Sequence, residues 1–287
     1  MTELAYILKR TSEEIYHSPS AISQVDKSVA ALNLDRDLLQ WKAQLAPIFD
    51  LDDTPLTEPE SVTKKKIVLK LRFYSARILI HRSFLVAAAY QGSSSQLVAN
   101  IQHCLDASRE TIHLLYDTFM NRPFFRTWWY NTTYAFNAIT IILYVLVSHL
   151  QKGSSEELLK VVEKSLKIFQ AMDGIAVARR CAELTQEIFD VAKMSVQAQQ
   201  NQSQVPNNGG DSLVQGVAQA APAIQAVMDS QDNGNIWGDI DASNLQNDFF
   251  ASLADPNILD NFGANLANMD LDLASFENVD FFRDFGT

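Results

Sequence analysis

The sequence predicts an all-α body followed by a long acidic tail. Before about residue 197, apolar residues recur three and four positions apart, which is the helical period. The strict apolar–polar alternation of exposed strands is not found in this part of the sequence. At Gln197 the composition changes abruptly to a Gln- and Asn-rich stretch. We therefore divide the chain into a helical body at 1–196, a flexible linker at 197–212 and a tail at 213–287.

The first two predicted helices, Leu4–Tyr16 and Ala21–Phe49, are separated by a Ser-Pro-Ser break. In the second helix, apolar residues spaced four, three and four apart form one face: Leu34, Leu38, Trp41 and Leu45. Pro47 is expected to end or kink that helix, because proline cannot continue the hydrogen-bond ladder. The proline-containing segment 50–61 is predicted to be a loop.

The longest predicted helix spans Val62–Tyr90 and is apolar on nearly every side. Part of its basic residues form a stripe about 60° wide on a helical wheel: Lys66, Lys70, Arg77 and His81. Such a stripe either binds the phosphates of a nucleic-acid backbone or forms ion pairs with carboxylates of the same body. Because the basic and acidic counts of the body nearly match, the sequence favours internal pairing.

The remaining helices complete the body. Gln96–Met120 has a single inward face, made of Ile101, Leu105, Ser108, Ile112, Leu115 and Phe119. An uncharged helix lies between Pro123 and Gly153, and polar residues shorten its apolar run, which favours a buried core helix over a membrane span. A capping box of Ser154 and Glu157 begins a helix to about Met172, and the last helix spans Ile175–Gln199.

The charge of the chain is concentrated in its last third. Thirteen of the 34 carboxylates but only one of the 23 basic residues lie in 201–287, so that stretch carries −12 and the first 200 residues +1. The linker is too polar to offset its ordering entropy by burial. Carboxylates interleaved with large apolar residues are typical of acidic activation segments. The candidate coactivator-binding residues are Trp237, Phe249, Phe250, Phe281, Phe282 and Phe285. The alternative is a tail that docks on its own body.

The sequence contains no motif for catalysis, cofactor binding or metal binding that we recognise. Cys104 and Cys181 are too few for a structural zinc site and are predicted to be buried thiols. A nucleophile elbow and a phosphate-binding glycine loop are both missing from the sequence. We therefore predict that the chain is not an enzyme. An all-α enzyme remains the alternative, and it would require an acidic or histidine-lined cavity in the body.

Three segments resemble the regulatory domain of fungal-specific transcription factors, the zinc-cluster regulators. Residues 69–85, LKLRFYSARILIHRSFL, resemble the family pattern L-x-L-x-Y-x-x-x-R-I-L-L-H-R-P-F-L. Residues 104–112, CLDASRETI, are similar to its C-x-x-A-A-R-x-x-I helix, and Trp128-Trp129-Tyr130 with Tyr134–Ile139 resembles its aromatic segment. The resemblance covers about residues 30–195. Ser83 replaces the usual proline and is expected to straighten the helix locally.

The resemblance implies a nuclear, all-α regulatory domain whose DNA binding is supplied by a separate N-terminal module. That module holds zinc with six cysteines, and the two cysteines of this chain cannot supply them. No cofactor is therefore expected in this chain. Zinc and DNA are expected to be bound only by the missing module. The family motif falls on Arg77, His81, Arg82, Trp128 and Trp129.

We interpret Arg77, His81 and Arg82 as buried polar groups that tie the long helix to its neighbours, because an unpaired buried cation is too costly to keep. The two tryptophans are expected to be packing residues. The expected partners are transcriptional coactivators, which would bind the tail; a homodimer and an effector ligand are open alternatives, and no membrane partner is expected. A second functional hypothesis is a stand-alone interaction or dimerisation protein that modulates full-length regulators.

Overall fold

A computed structural model describes residues 2–19, 22–52, 58–91, 95–122, 125, 131–148, 150, 155–172 and 174–202. Regular structure within these ranges is helical throughout, which confirms the predicted all-α class. The α-helices are α1 (Thr2–Thr11), α2 (Gln24–Ala43), α3 (Glu60–His81), α4 (Ser83–Gln91), α5 (Ser95–Asn121), α6 (Asn131–Val147), α7 (Ser155–Ala171) and α8 (Ala176–Gln202). A π-helical turn at Ser12–Tyr16 follows α1, and a 3-10 turn at Pro47–Phe49 follows α2.

The larger core surrounds α6, the uncharged helix. Almost every residue of α6 is buried, and α5, α7 and α8 pack around it. A helix that is apolar on all sides is stable only when neighbours cover it on all sides. The prediction of a central core helix is therefore confirmed. Among the helices that the structure describes, none combines the length and hydropathy that crossing a membrane requires.

A smaller core lies between α1, α2, α4, the N-terminal part of α5 and one side of α3. The predicted inward face of α2 is confirmed, because Leu34, Leu38 and Trp41 are buried in this core and Leu45 packs against it. α3 separates the two cores, and its residues face one or the other in turn. The larger core takes Leu71, Ile78 and Leu79; the smaller core takes Phe73, Ala76 and Ile80. This double contact explains why the sequence of α3 is apolar on nearly every side.

The prediction of one continuous helix over Val62–Tyr90 is wrong, because the helix is interrupted at Arg82. The Leu85 amide donates to the Arg82 carbonyl oxygen at 3.1 Å, an i to i+3 bond that tightens the turn. Arg82 itself keeps helical angles (φ −62°, ψ −32°), and its amide donates to the Ile78 carbonyl oxygen at 2.8 Å, so the interruption is limited to one residue. After it, Phe84 lies in the smaller core and Leu85 in the larger one.

The boundary between body and linker also differs from the prediction. α8 continues to Gln202, so the first residues of the predicted linker are helical. Gln and Ala have high helix propensity, and extending an existing helix avoids the cost of nucleation. Several predicted features lie outside the described residues. They are the rest of the linker, the tail with its six candidate aromatic residues, Ser154, and the pair Trp128 and Trp129.

Candidate functional site

A group of polar side chains is enclosed where α2, α3 and α5 meet. We call this group the polar cluster, and its members are Ser28, Asp35, Arg77, His81, Asn100 and His103. Ser28, Asp35, His81 and Asn100 are all buried, and His81 and Asn100 are completely so. Buried polar groups are costly unless they are hydrogen-bonded, so the partners of each one determine what the cluster does.

Arg77 and Asp35 form the ionic centre of the cluster. Arg77 Nε donates to Asp35 Oδ1 at 2.7 Å, and Arg77 Nη2 donates to Asp35 Oδ2 at 3.0 Å. This two-point geometry matches the guanidinium to the carboxylate and fixes α3 against α2. Burial alone would raise the pKa of Asp35, but the polar contacts from His81 and Arg77 and their charges outweigh it and hold that pKa well below its usual range.

His81 connects the same centre to α5. The Asn100 amide donates through Nδ2 to Ser28 Oγ at 2.6 Å, which leaves its Oδ1 to accept from His81 Nδ1 at 2.8 Å. On its other side, His81 Nε2 lies 3.4 Å from Asp35 Oδ1, a close polar contact that is not an aligned hydrogen bond. Through these contacts a single side chain of α3 is held by both α2 and α5.

His103 completes the cluster at its more exposed side. Arg77 Nη2 lies 3.0 Å from His103 Nδ1, and because a guanidinium only donates, Nδ1 must be the acceptor. His103 is therefore neutral here, with its proton on Nε2. Partial burial, together with the charge of Arg77, lowers the pKa of His103.

Folding stability should consequently decrease as the pH falls below about 6.5. In that range the unfolded chain binds a proton at His103, whose unperturbed pKa is 6.5, more readily than the folded chain does. The stability contribution is thus fully present above 6.5 and is lost as the pH approaches the lowered folded value. Urea unfolding between pH 5 and pH 7 measures the effect, with His103→Gln as the control that should reduce this slope. An unchanged slope in the variant would contradict the assignment.

Arg82 makes a separate connection, to the π-helical turn near the N-terminus. Arg82 Nε donates to the Tyr16 hydroxyl at 2.9 Å, and that hydroxyl donates to the Leu79 carbonyl oxygen at 2.7 Å. The guanidinium carbon also lies 5.5 Å from the centre of the Tyr16 ring. Arg77 and His81 both join α3 to α2 and α5, and Arg82 joins the end of α3 to the N-terminal turn; His81 and Arg82 are buried and Arg77 is partly buried.

The residues of the predicted basic stripe of α3 mainly make contacts inside the body. Lys66 Nζ lies 2.5 Å from Glu58 Oε1, and both side chains are buried. With the Arg77–Asp35 pair, this contact confirms internal pairing for two of the four stripe residues. Lys70 is half-buried; burial lowers its pKa, and the charge of Asp52 opposes that effect. The stripe does not form a continuous surface that phosphates could follow.

The polar groups of the cluster contact one another and so connect α2, α3 and α5. Cys104 is buried beside the cluster and its Sγ lies 3.9 Å from the Ile78 carbonyl oxygen; burial strongly raises the pKa of this thiol. Cys181 is also buried, and its pKa is raised to about 12. The prediction of buried thiols is confirmed for both. In the part of the chain that the structure describes, no three His, Cys, Asp or Glu residues are grouped as metal ligands.

Sequence reasoning found the α3 members of the cluster but missed their partners Asp35, Asn100 and Tyr16. A signal for Asp35 was present, since this carboxylate sits between Leu34 and Leu38 on the predicted inward face of its helix. Asn100 likewise precedes Ile101 on the inward side of α5. A polar residue on an apolar face indicates a buried partner, although spacing alone does not identify it.

Comparison of the chain with protein-family models, with curated proteins and with solved structures found no match in any of the three. Function must therefore be argued from the residues of this chain.

Proposed function

We propose that the chain is a transcriptional regulator of the fungal zinc-cluster type. In this proposal the helical body is the regulatory, effector-responsive domain, and 213–287 is the segment that binds coactivators. The observation that carries the proposal is the division of charge: −12 on 201–287 beside a body of +1. The motif resemblance in α3 and α5 supports the same assignment.

The tail has the physical properties of a coactivator-binding segment. Mutual repulsion of its thirteen carboxylates opposes collapse. Of the eight aromatic residues in 213–287, the six candidates named above would bind a hydrophobic groove as short helices. Basic or apolar protein surfaces are the matching partners of such a segment, and nuclear localisation is part of the proposal.

The body supports a role other than direct DNA binding. Lys66, Arg72 and Arg82 are buried, and Arg77 is paired with Asp35, so these cations are not presented to a phosphate backbone. Nucleic-acid affinity depends mainly on cations that reach phosphates. We therefore assign DNA binding to a separate zinc-containing N-terminal module.

Replacing the six candidate aromatic residues of the tail by alanine should abolish most transcriptional activation. The full chain is fused to an unrelated DNA-binding domain and assayed on a reporter, with all six candidate aromatics replaced by alanine in the variant. Loss of several aromatic anchors, each worth about 2 kcal/mol in a typical interface, should reduce activation by about tenfold or more.

A matched control replaces six apolar, non-aromatic tail residues by alanine: Leu213, Val214, Val217, Ile224, Val227 and Met228. This control should retain most of the activity. Equal losses in the two variants, or no activation by the parent fusion, would contradict the role proposed for the aromatics.

The alternative is a stand-alone interaction or dimerisation protein that modulates full-length regulators. Its supporting observation is that the two cysteines of the chain are both buried in the body, where they cannot hold a zinc cluster. This alternative would be favoured if the fusion of the unmodified chain did not activate the reporter but changed the activity of a co-expressed zinc-cluster regulator.

A further inference from the structure

α2 carries a second apolar row, on the side opposite its buried face. Val25, Val29 and Leu39 in this row are 44%, 54% and 43% exposed, although α2 packs on the body through Leu34, Leu38 and Trp41. The row, which we call the α2 seam, comprises Val25, Val29, Leu32, Arg36, Leu39 and Ala43. A surface helix ordinarily has one apolar stripe, and among the described residues no helix covers the second stripe of α2.

The spacing of the α2 seam indicates which kind of neighbour it fits. Successive members are four, three, four, three and four residues apart, which is the heptad pattern by which one helix packs along another. The seam runs from Val25 to Ala43, about 27 Å at 1.5 Å per residue. Its geometry therefore matches another helix packed along α2.

Charge indicates that this helix is α2 of a second copy. Arg36 is the one cation in the seam, and Asp26 flanks the seam at its N-terminal end; both are exposed. In an antiparallel pair in which Val29 faces Leu32 of the second copy, Arg36 of each copy comes beside Asp26 of the other. This register pairs the Val25–Arg36 part of the seam, and Leu39 and Ala43 lie beyond the N-terminal end of the second α2. A two-fold axis thus forms two ion pairs at once. In a parallel pair, by contrast, the two Arg36 side chains would face each other.

We propose that the α2 seam is the interface of a homodimer in which α2 packs antiparallel against α2 of a second copy. This inference does not depend on the transcriptional role, because its readout is the oligomeric state. The interface is short and contains one charged layer, so we expect a modest affinity, with a dissociation constant on the order of 10 µM.

Sedimentation velocity of the full chain tests the dimer. The mass should rise from monomer to dimer between about 1 and 100 µM, which brackets that constant. Replacing Val29 and Leu32 together by glutamate should leave a monomer at all these concentrations. The matched control places glutamate at Val177 and Met194 of α8, which are 48% and 51% exposed, and should still dimerise. Far-UV circular dichroism checks that each variant is folded.

A charge exchange tests the register. Arg36→Glu should weaken dimerisation about tenfold or more, because it sets like charges against Asp26 of the second copy. Adding Asp26→Arg to the same chain recreates both ion pairs with reversed sign and should restore the dimer. A variant that merely damaged the fold would not be rescued by a second change.

Cross-linking tests the direction of the pair. Cys104 and Cys181 are buried, so introduced thiols react without competition. A mixture of Val29→Cys chains and Leu32→Cys chains should form mixed disulfides under mild oxidation, whereas Val29→Cys alone should not. Disulfides between two Val29→Cys chains would overturn the antiparallel arrangement. A full chain that stays monomeric at 100 µM (about tenfold above the expected constant), or a dimer indifferent to the seam glutamates, would overturn the interface itself.

Discussion

Replacing Asp35 by alanine should lower the free energy of unfolding by about 3–5 kcal/mol. The change removes the carboxylate that both Arg77 and His81 contact, while leaving their own side chains in place. His81 is completely buried, so its Nε2 would then lie in the core opposite no acceptor. Urea unfolding followed by circular dichroism measures the loss as a shift in the midpoint at an unchanged slope.

The matched control for this variant is Asp37→Ala, on the same helix two residues further on. Asp37 accepts from Arg10 Nη1 at 2.7 Å, but both side chains are partly exposed, 35% and 27%. Exposed ion pairs contribute about 0–1 kcal/mol, so this control should be nearly neutral. If the two aspartates proved equally dispensable, the polar cluster would not be the element that fixes α2, α3 and α5.

Replacing Phe84 by alanine should cost about 3–5 kcal/mol, the range for deleting a buried phenylalanine and leaving a cavity. Phe84 is completely buried in the smaller core, just after the interruption between α3 and α4. Domains are stable by about 5–15 kcal/mol in total, so this single change removes a large share of the stability. Thermal and urea unfolding both report the loss.

Tyr6→Ala provides the aromatic control for Phe84. Tyr6 lies on α1, which contributes Leu4 and Ile7 to the same core, but its own side chain is 60% exposed, so its loss should change stability by less than about 0.5 kcal/mol. Comparable destabilisation by the two variants would show that burial in the smaller core does not govern stability in this part of the chain.

Periodicity predicted most of the fold because most of its helices bury one continuous face. The inward face read from Ile101 to Phe119 is buried throughout in α5, and the uncharged helix α6 is the centre of the larger core. The interruption at Arg82 could not be predicted in the same way. It is confined to one residue, and neither glycine nor proline marks it in the sequence.

The polar cluster was predictable only in part. The motif identified Arg77, His81 and Arg82 as notable, and the cost of burying charge required that they have partners. Those partners lie far away in sequence, however: Arg77 and Asp35 are 42 residues apart, and Arg82 and Tyr16 are 66 apart. Only the packing of α2, α5 and the N-terminal turn on α3 brings them together.

The position of α3 between the two cores has a consequence for how the body unfolds. Because α3 packs against both cores, its separation from one core also exposes apolar surface of the other. The amides around Leu71 and Ala76, which are both fully buried, should exchange with solvent only when the whole body opens. Denaturation of the body should then follow a single cooperative step, and a ligand that stabilises either half should raise the melting temperature of both.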